Sequence, residues 1–136
     1  MDISLSPEIQ KMIDTHRVLS LIPILPYHMV ADVGCGLGYF TIPLAKFVFD
    51  GTVYALDAQN EMLLEVRKQA EAVRLSNIQT LLIDQPTLPI EDSSLDGAFV
   101  SMTLHETAQP NQIMAEVSRS LRKGGWIAVV EWFKKK

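Results

Sequence analysis

Three acids and a run of alternate glycines hold most of the chemistry this sequence can do. The run is Asp32-Val33-Gly34-Cys35-Gly36-Leu37-Gly38. Glycines at alternate positions permit a tight turn and let a ligand lie against the backbone at a helix N-terminus. Spacing then separates two ligand classes. Dinucleotide sites use G-x-G-x-x-G to seat a pyrophosphate, whereas this loop reads Gly-x-Gly-x-Gly with an acid in front of it. A carboxylate there repels phosphate and suits a cation. Asp57 follows roughly 20 residues on, where an acid accepts both hydroxyls of a ribose. Asp84 is an acceptor for an exocyclic amine such as that of adenine. Together the three acids describe a pocket for a nucleoside that has no phosphate and carries net positive charge.

Other reactive side chains read more plainly. His105, beside Glu106, is the candidate general base, with a capping or packed histidine as the equal alternative. Asp57 and Asp84 also have a bland reading as turn residues. Cys35 lies between glycines where a small residue is needed, which favours packing over reactivity. His16 and His28 have no partners at ligand spacing, so no metal site is expected. Trp126 and Trp132 share a strand face and read as core or interface.

The elements that must position these groups alternate between two periodicities. Met29–Val33, Thr52–Leu56, Ile78–Ile83, Leu95–Val100 and Trp126–Trp132 are apolar runs that read as strands. Between them lie helical patterns. Pro7 to Ser20 places Ile9, Ile13, His16 and Leu19 on one face, with Ser6 as cap. Phe40, Leu44, Phe47 and Val48 form a second, in which Pro43 falls in the tolerant first turn. Asn60 is expected to cap a third, with Met62, Val66, Ala70 and Val73 inward. Pro110 opens a fourth, with Ile113, Val117 and Leu121 inward and Gly124-Gly125 as its C-terminal cap. Near-continuously apolar strands separated by amphipathic helices imply a parallel sheet covered on both faces. The fold class is α/β, a doubly wound sheet whose ligand sits beyond the carboxyl ends of the strands.

Composition narrows the function classes. A chain of 136 residues makes about one domain, and 48% hydrophobic with 21% charged residues is ordinary globular composition. Lys+Arg 12 against Asp+Glu 16 gives a net charge of −4. That disfavours phosphate-backbone binding, so no nucleic-acid partner is expected, and Lys134-Lys135-Lys136 reads as a solvated tail. One cysteine fits a reducing compartment. Neither a secretory signal nor an unbroken membrane span is visible, so a cytoplasmic protein is expected.

The motifs in order resemble the class I S-adenosylmethionine-dependent methyltransferases, of the small-molecule and menaquinone/ubiquinone-biosynthesis type. They are Val30 through Gly38, Val53 through Asp57, Asp84 with Leu88-Pro89, Ser94 through Ala98, Leu104-His105-Glu106, and Leu121 through Gly125. The resemblance implies a Rossmann-like, mostly parallel sheet in the order 3-2-1-4-5. It implies S-adenosylmethionine as cofactor, S-adenosylhomocysteine as product, and a small-molecule methyl acceptor. Gly34, Gly36 and Gly38 would line the methionyl and ribose part, with Asp32 near the amino end. Asp57 would hold the ribose hydroxyls with Ala58 beside the adenine, Asp84 and the Gln85 backbone would meet the adenine, and Ser101 the methionine moiety. Residues 1–136 are expected to form one domain, with 1–25 as a helical cap. The family's sheet continues past its fifth strand, whereas this chain stops at Lys136. The uncovered fifth strand predicts either a homodimer through that edge or a shortened form of a longer protein. Two rival readings are a non-catalytic cofactor-binding or assembly module using that strand, and a nicotinamide-dependent oxidoreductase. The loop spacing and Asp32 argue against the latter.

Overall fold

The computed structural model describes residues 15–102 and 110–131. Five strands form one sheet: β1 (Met29–Val33), β2 (Thr52–Asp57), β3 (Ile78–Leu82), β4 (Leu95–Met102) and β5 (Leu121–Glu131). Their order is β3-β2-β1-β4-β5, and each neighbouring pair is parallel. The helices are α1 (Thr41–Phe47), α2 (Asn60–Ala72) and α3 (Pro110–Ser120), and residues 15–20 are also helical. The doubly wound arrangement expected from the alternating patterns is the one observed.

Alternation of side chains across the sheet divides the core in two. On one face Val30, Val53 and Phe99 pack with Leu19, Phe40, Leu44 and Val48, and Ala55 packs with Leu63 and Val66 of α2. On the other face Ala31, Val33, Leu56, Ala98 and Val100 pack with Leu88 and with Val117 of α3. Parallel strands buried on both faces need continuous apolar runs, and β1 supplies one.

Several details differ from the sequence reading, each for a local reason. Helix α3 ends at Ser120, and Gly124-Gly125 lie inside β5 rather than capping it. The carbonyls of Arg119 and Ser120 accept hydrogen bonds from the Ser93 and Ser94 N–H groups, so no glycine cap is needed to satisfy them. Gly124 takes φ +84°, where the β4–β5 register shifts between Leu95 and Gly97. Gln59, not Asn60, is the N-cap of α2. Its N–H donates to Asp57 Oδ1 at 2.9 Å. The inward face of α2 is Leu63, Val66 and Ala70, with Val73 exposed. In the first helical segment Thr15 and Leu19, four apart, are buried while His16 is exposed. Phe47 is likewise exposed. Ile9, Ile13, Ser6 and Trp132 lie outside the described residues.

At the end of the sheet opposite the glycine loop, Asp96 ties β4 to β1. Its Oδ2 accepts the Met29 N–H at 2.7 Å, and Arg122 donates to its Oδ1. Burial raises this acid, but the two hydrogen bonds and the Arg122 charge outweigh it and hold the carboxyl below its ordinary 3.8. A depressed acid contributes stability above its unfolded value, and that contribution is lost as pH falls through the folded value. Asp96→Ala is therefore expected to cost about 1–3 kcal/mol at neutral pH. Urea unfolding at pH 7 measures this, and the gap from wild type should close as the pH drops below 3.8.

Candidate functional site

The chain runs outward from β1 to β2 and β3 on one side and to β4 and β5 on the other, so the order reverses beside β1. At such a switch point the loops diverge and leave a crevice beyond the strand ends. The glycine loop leaves β1 there. The Gly34 and Cys35 N–H groups both donate to the Leu56 carbonyl, at 2.8 and 2.9 Å, which ties the loop to the end of β2. Gly34 has φ +77°, and a Cβ on it would stand 2.7 Å from the Ser101 carbonyl oxygen of β4. Both facts demand glycine. Gly34→Ala is expected to cost about 2–4 kcal/mol from the backbone strain and the forced contact, measurable by chemical denaturation.

The other two glycines do different work. Gly36 has φ +53° and nothing within 4 Å of its would-be Cβ, so its outer side is open cradle. Gly38 (φ +90°) backs onto α2, where a Cβ on it would stand 3.3 Å from Val66 Cγ2. The Gln69 amide of α2 donates to the Leu37 carbonyl at 2.9 Å. The loop is thus held from β2, β4 and α2 at once.

Asp32, next to last in β1, has 1% of its surface exposed. The Thr41 hydroxyl of α1 donates to its Oδ2 at 2.7 Å, while Oδ1 is buried with no hydrogen-bond partner. Burial pushes its pKa up to about 6; the Thr41 bond opposes this and the Asp57 charge adds to it. Asp57 is half-buried at the end of β2. Its Oδ2 accepts the Gly36 N–H at 2.9 Å and its Oδ1 the Gln59 N–H, so both oxygens already hold backbone. Carboxylate oxygens have further lone pairs, and Asp57 retains acceptor capacity.

The structure therefore brings Asp32, Gly34, Gly36, Gly38, Asp57 and Ser101 together at the strand ends. Ala58 is exposed just past β2, and Asp84 and Gln85 are exposed just past β3. The Ile83 N–H donates to the Asp57 carbonyl at 2.9 Å, which carries the β2–β3 ladder up to the residue before Asp84. His105 and Glu106 lie outside the described residues. The Cys35 thiol is pushed above its ordinary range, first by burial and then by the Asp32 and Asp57 carboxylates. It packs beside Ala55, Leu63 and Val66. Among the described residues no group of three His, Cys, Asp or Glu gathers to hold a metal. Sequence reading missed Thr41 and Gln69. The available signal for Thr41 was a hydroxyl in the first turn after the loop, on the inward helix face.

The profile of the "Methyltransferase domain" family matches residues 31–129. A demethylmenaquinone methyltransferase of Bacillus mycoides is 29% identical over 116 residues, covering 85% of this chain and 49% of that protein. An uncharacterized 37.1 kDa protein in a transposon of Streptomyces fradiae is 36% identical over 115 residues, 84% of this chain and 33% of its own. The crystal structure of a SAM-dependent methyltransferase from Aquifex aeolicus superposes with a TM-score of 0.84 at 28% identity, covering 96% of this chain and 70% of that one. The chain thus spans half or less of the length of these two curated relatives.

Proposed function

Since the chain belongs to the S-adenosylmethionine-dependent methyltransferases, we propose that it moves a methyl group from S-adenosylmethionine to a small-molecule acceptor. The observation that carries this reading is the pairing of an open glycine cradle at Gly36 with two acids, one of them holding a buried oxygen without a partner. That donor set fits a cationic nucleoside and offers nothing to a pyrophosphate. When bound, the cofactor supplies a methyl group already activated by its sulfonium. The protein's share of the work is alignment and exclusion of water.

The residue roles belong to the same proposal. Gly34, Gly36 and Gly38 shape the floor under the methionyl and ribose part, and Asp32 sets the charge beneath the amino end. Asp57 accepts the ribose hydroxyls with Ala58 beside the adenine, Asp84 and the Gln85 backbone meet the adenine edge, and Ser101 meets the methionine moiety. His105 is proposed as the base that takes the acceptor's proton, on its sequence position after β4. The chain is taken as one domain, with residues 1–25 as a helical cap. Leu19, buried against Val30 and Phe40, supports that docking. A cytoplasmic location is part of the proposal and rests on the single cysteine. No helix among the described residues is long and apolar enough to cross a membrane.

Calorimetric titration with S-adenosylhomocysteine tests the reading, and absence of binding at high micromolar ligand overturns it. A small-molecule acceptor draws support from the net charge of −4 and from the named activity of the Bacillus relative. Radiolabelled methyl transfer to a panel of phenols, quinols and amines, run beside protein and RNA fractions, assigns the class.

One observation favours a second reading. Among the described residues strand β5 lies at the edge of the sheet, with Ile127 and Val129 exposed at 37% and 47%. An apolar edge of that kind is ordinarily paired or covered. A non-catalytic cofactor-binding or assembly module, or a homodimer, would use this strand. Cofactor affinity without transfer to any acceptor favours the module. A monodisperse monomer in analytical ultracentrifugation at high concentration removes the dimer.

A further inference from the structure

Asp32 is an unusual acid to leave beneath a ligand site. It is sealed from water, hydrogen-bonded at one oxygen and bare at the other. A bare buried carboxylate oxygen is costly, and the cost falls away in two ways: a proton binds, or a positive charge comes close. Neither Asp32 nor Asp57 forms an ion pair with any of the described residues. The nearby groups that act on Asp32 are Thr41 from α1 and Asp57 from β2, and Asp32 in turn raises the neutral Cys35 thiol of the loop. Among the described residues none of these brings a positive charge, and a cationic ligand would supply one.

We propose that Asp32 senses the charge of the cofactor: held by Thr41, it releases a proton to solvent when the sulfonium-bearing donor binds, and it does so less for the neutral thioether product. The pocket then prefers the donor over the spent product, and the preference strengthens as the pH rises. Burial sets the working range, since it places the acid at about 6 in the ligand-free protein. Both molecules carry the same nucleoside and amino-acid ends, so their difference isolates the charge on sulfur. Thr41 is the positioning residue here. Its hydroxyl fixes which oxygen stays bare. The inference rests on the cofactor reading given above.

The test is calorimetric titration of the intact chain with S-adenosylmethionine and with S-adenosylhomocysteine at pH 5, 6 and 7.5. Two buffers of different ionisation enthalpy count the protons released. The expected result is greater proton release with the donor near pH 6. The donor-to-product affinity ratio should rise about 5- to 10-fold from pH 5 to 7.5. Asp32→Asn should make the ratio flat. Thr41→Val should move the proton release to higher pH, and Thr41→Ser should restore it.

A readout without ligand protects the test. An acid raised on folding makes stability fall as pH climbs from its ordinary 3.8 through about 6, because the folded chain keeps a proton that the unfolded chain has lost. Melting curves of Asp32→Asn should lack that fall. Equal proton release by both ligands with a pH-independent ratio overturns the proposal and leaves the cofactor reading intact. Failure of both ligands to bind at every pH overturns both.

Discussion

Gly97→Ala is expected to remove about 3 kcal/mol or more of stability, because one methyl group displaces a tryptophan and disturbs the aromatic row behind it. Gly97 is buried in β4 and sits between Val30 of β1 and Trp126 of β5. The indole of Trp126 fills the space where a Cβ would stand. That indole meets Phe99 edge-on, with centroids 5.4 Å apart, and Phe99 stacks on Phe40 at 5.3 Å. A side chain at Gly97 therefore pushes on a continuous run of rings from β5 to the start of α1. Domains of this kind hold about 5–15 kcal/mol in all, so the loss is a large share. Guanidinium unfolding followed by tryptophan fluorescence measures it. Gly124→Ala is the matched control. It has φ +84° and nothing within 4 Å, so only the backbone penalty of about 1 kcal/mol applies. A loss at Gly97 no greater than at Gly124 would contradict the packing.

Asp57→Ala is expected to weaken binding of S-adenosylhomocysteine about 100-fold. Hydrogen bonds to a charged group are worth about 1.5–3 kcal/mol each, and each 1.4 kcal/mol is about tenfold in affinity. The side chain does two things. In the proposed role it offers acceptors to a ribose, and in the structure it fastens Gly36 and Gln59 at 2.9 Å each, which shapes the loop before a ligand arrives. Asp57→Asn separates the two. An amide has a single acceptor oxygen, so one of those N–H groups must lose its partner while the side chain's size is kept. Calorimetry on both variants gives the split. Affinity of Asp57→Ala within a few-fold of wild type would remove Asp57 from the site.

The sheet was legible because most strands carry an apolar run, with Gly34 following β1 and Asp57 closing β2. Met29 to Val33 reads as a strand from composition alone, and its boundaries match. Element ends were less legible, since they depend on partners distant in sequence. Gly124-Gly125 looks like a helix cap until Ser93 and Ser94 are seen to occupy the carbonyls it would have served. Met62 and Leu63 are equally apolar, and only the docking of α2 on Ala55 decides which turns inward. In the site, Asp32, Asp57 and the glycines were visible by type and spacing. Thr41 was not. Its meaning comes from a bond to Asp32 across the loop, and a threonine in a helix otherwise reads as an indifferent former.

The bond between Asp96 and Met29 joins residues 67 apart in sequence, and its position in the chain has a kinetic consequence. Strands β1, β2 and β3 pair in the order they are made, so that half can assemble from comparatively near neighbours. Strand β4 must return past all three to dock on β1, which closes a long loop before its contacts repay the entropy. The clamp is therefore expected to form late on the folding path. Its loss should hasten unfolding far more than it slows folding, which makes Asp96 a guard on the lifetime of the native state rather than a guide to it.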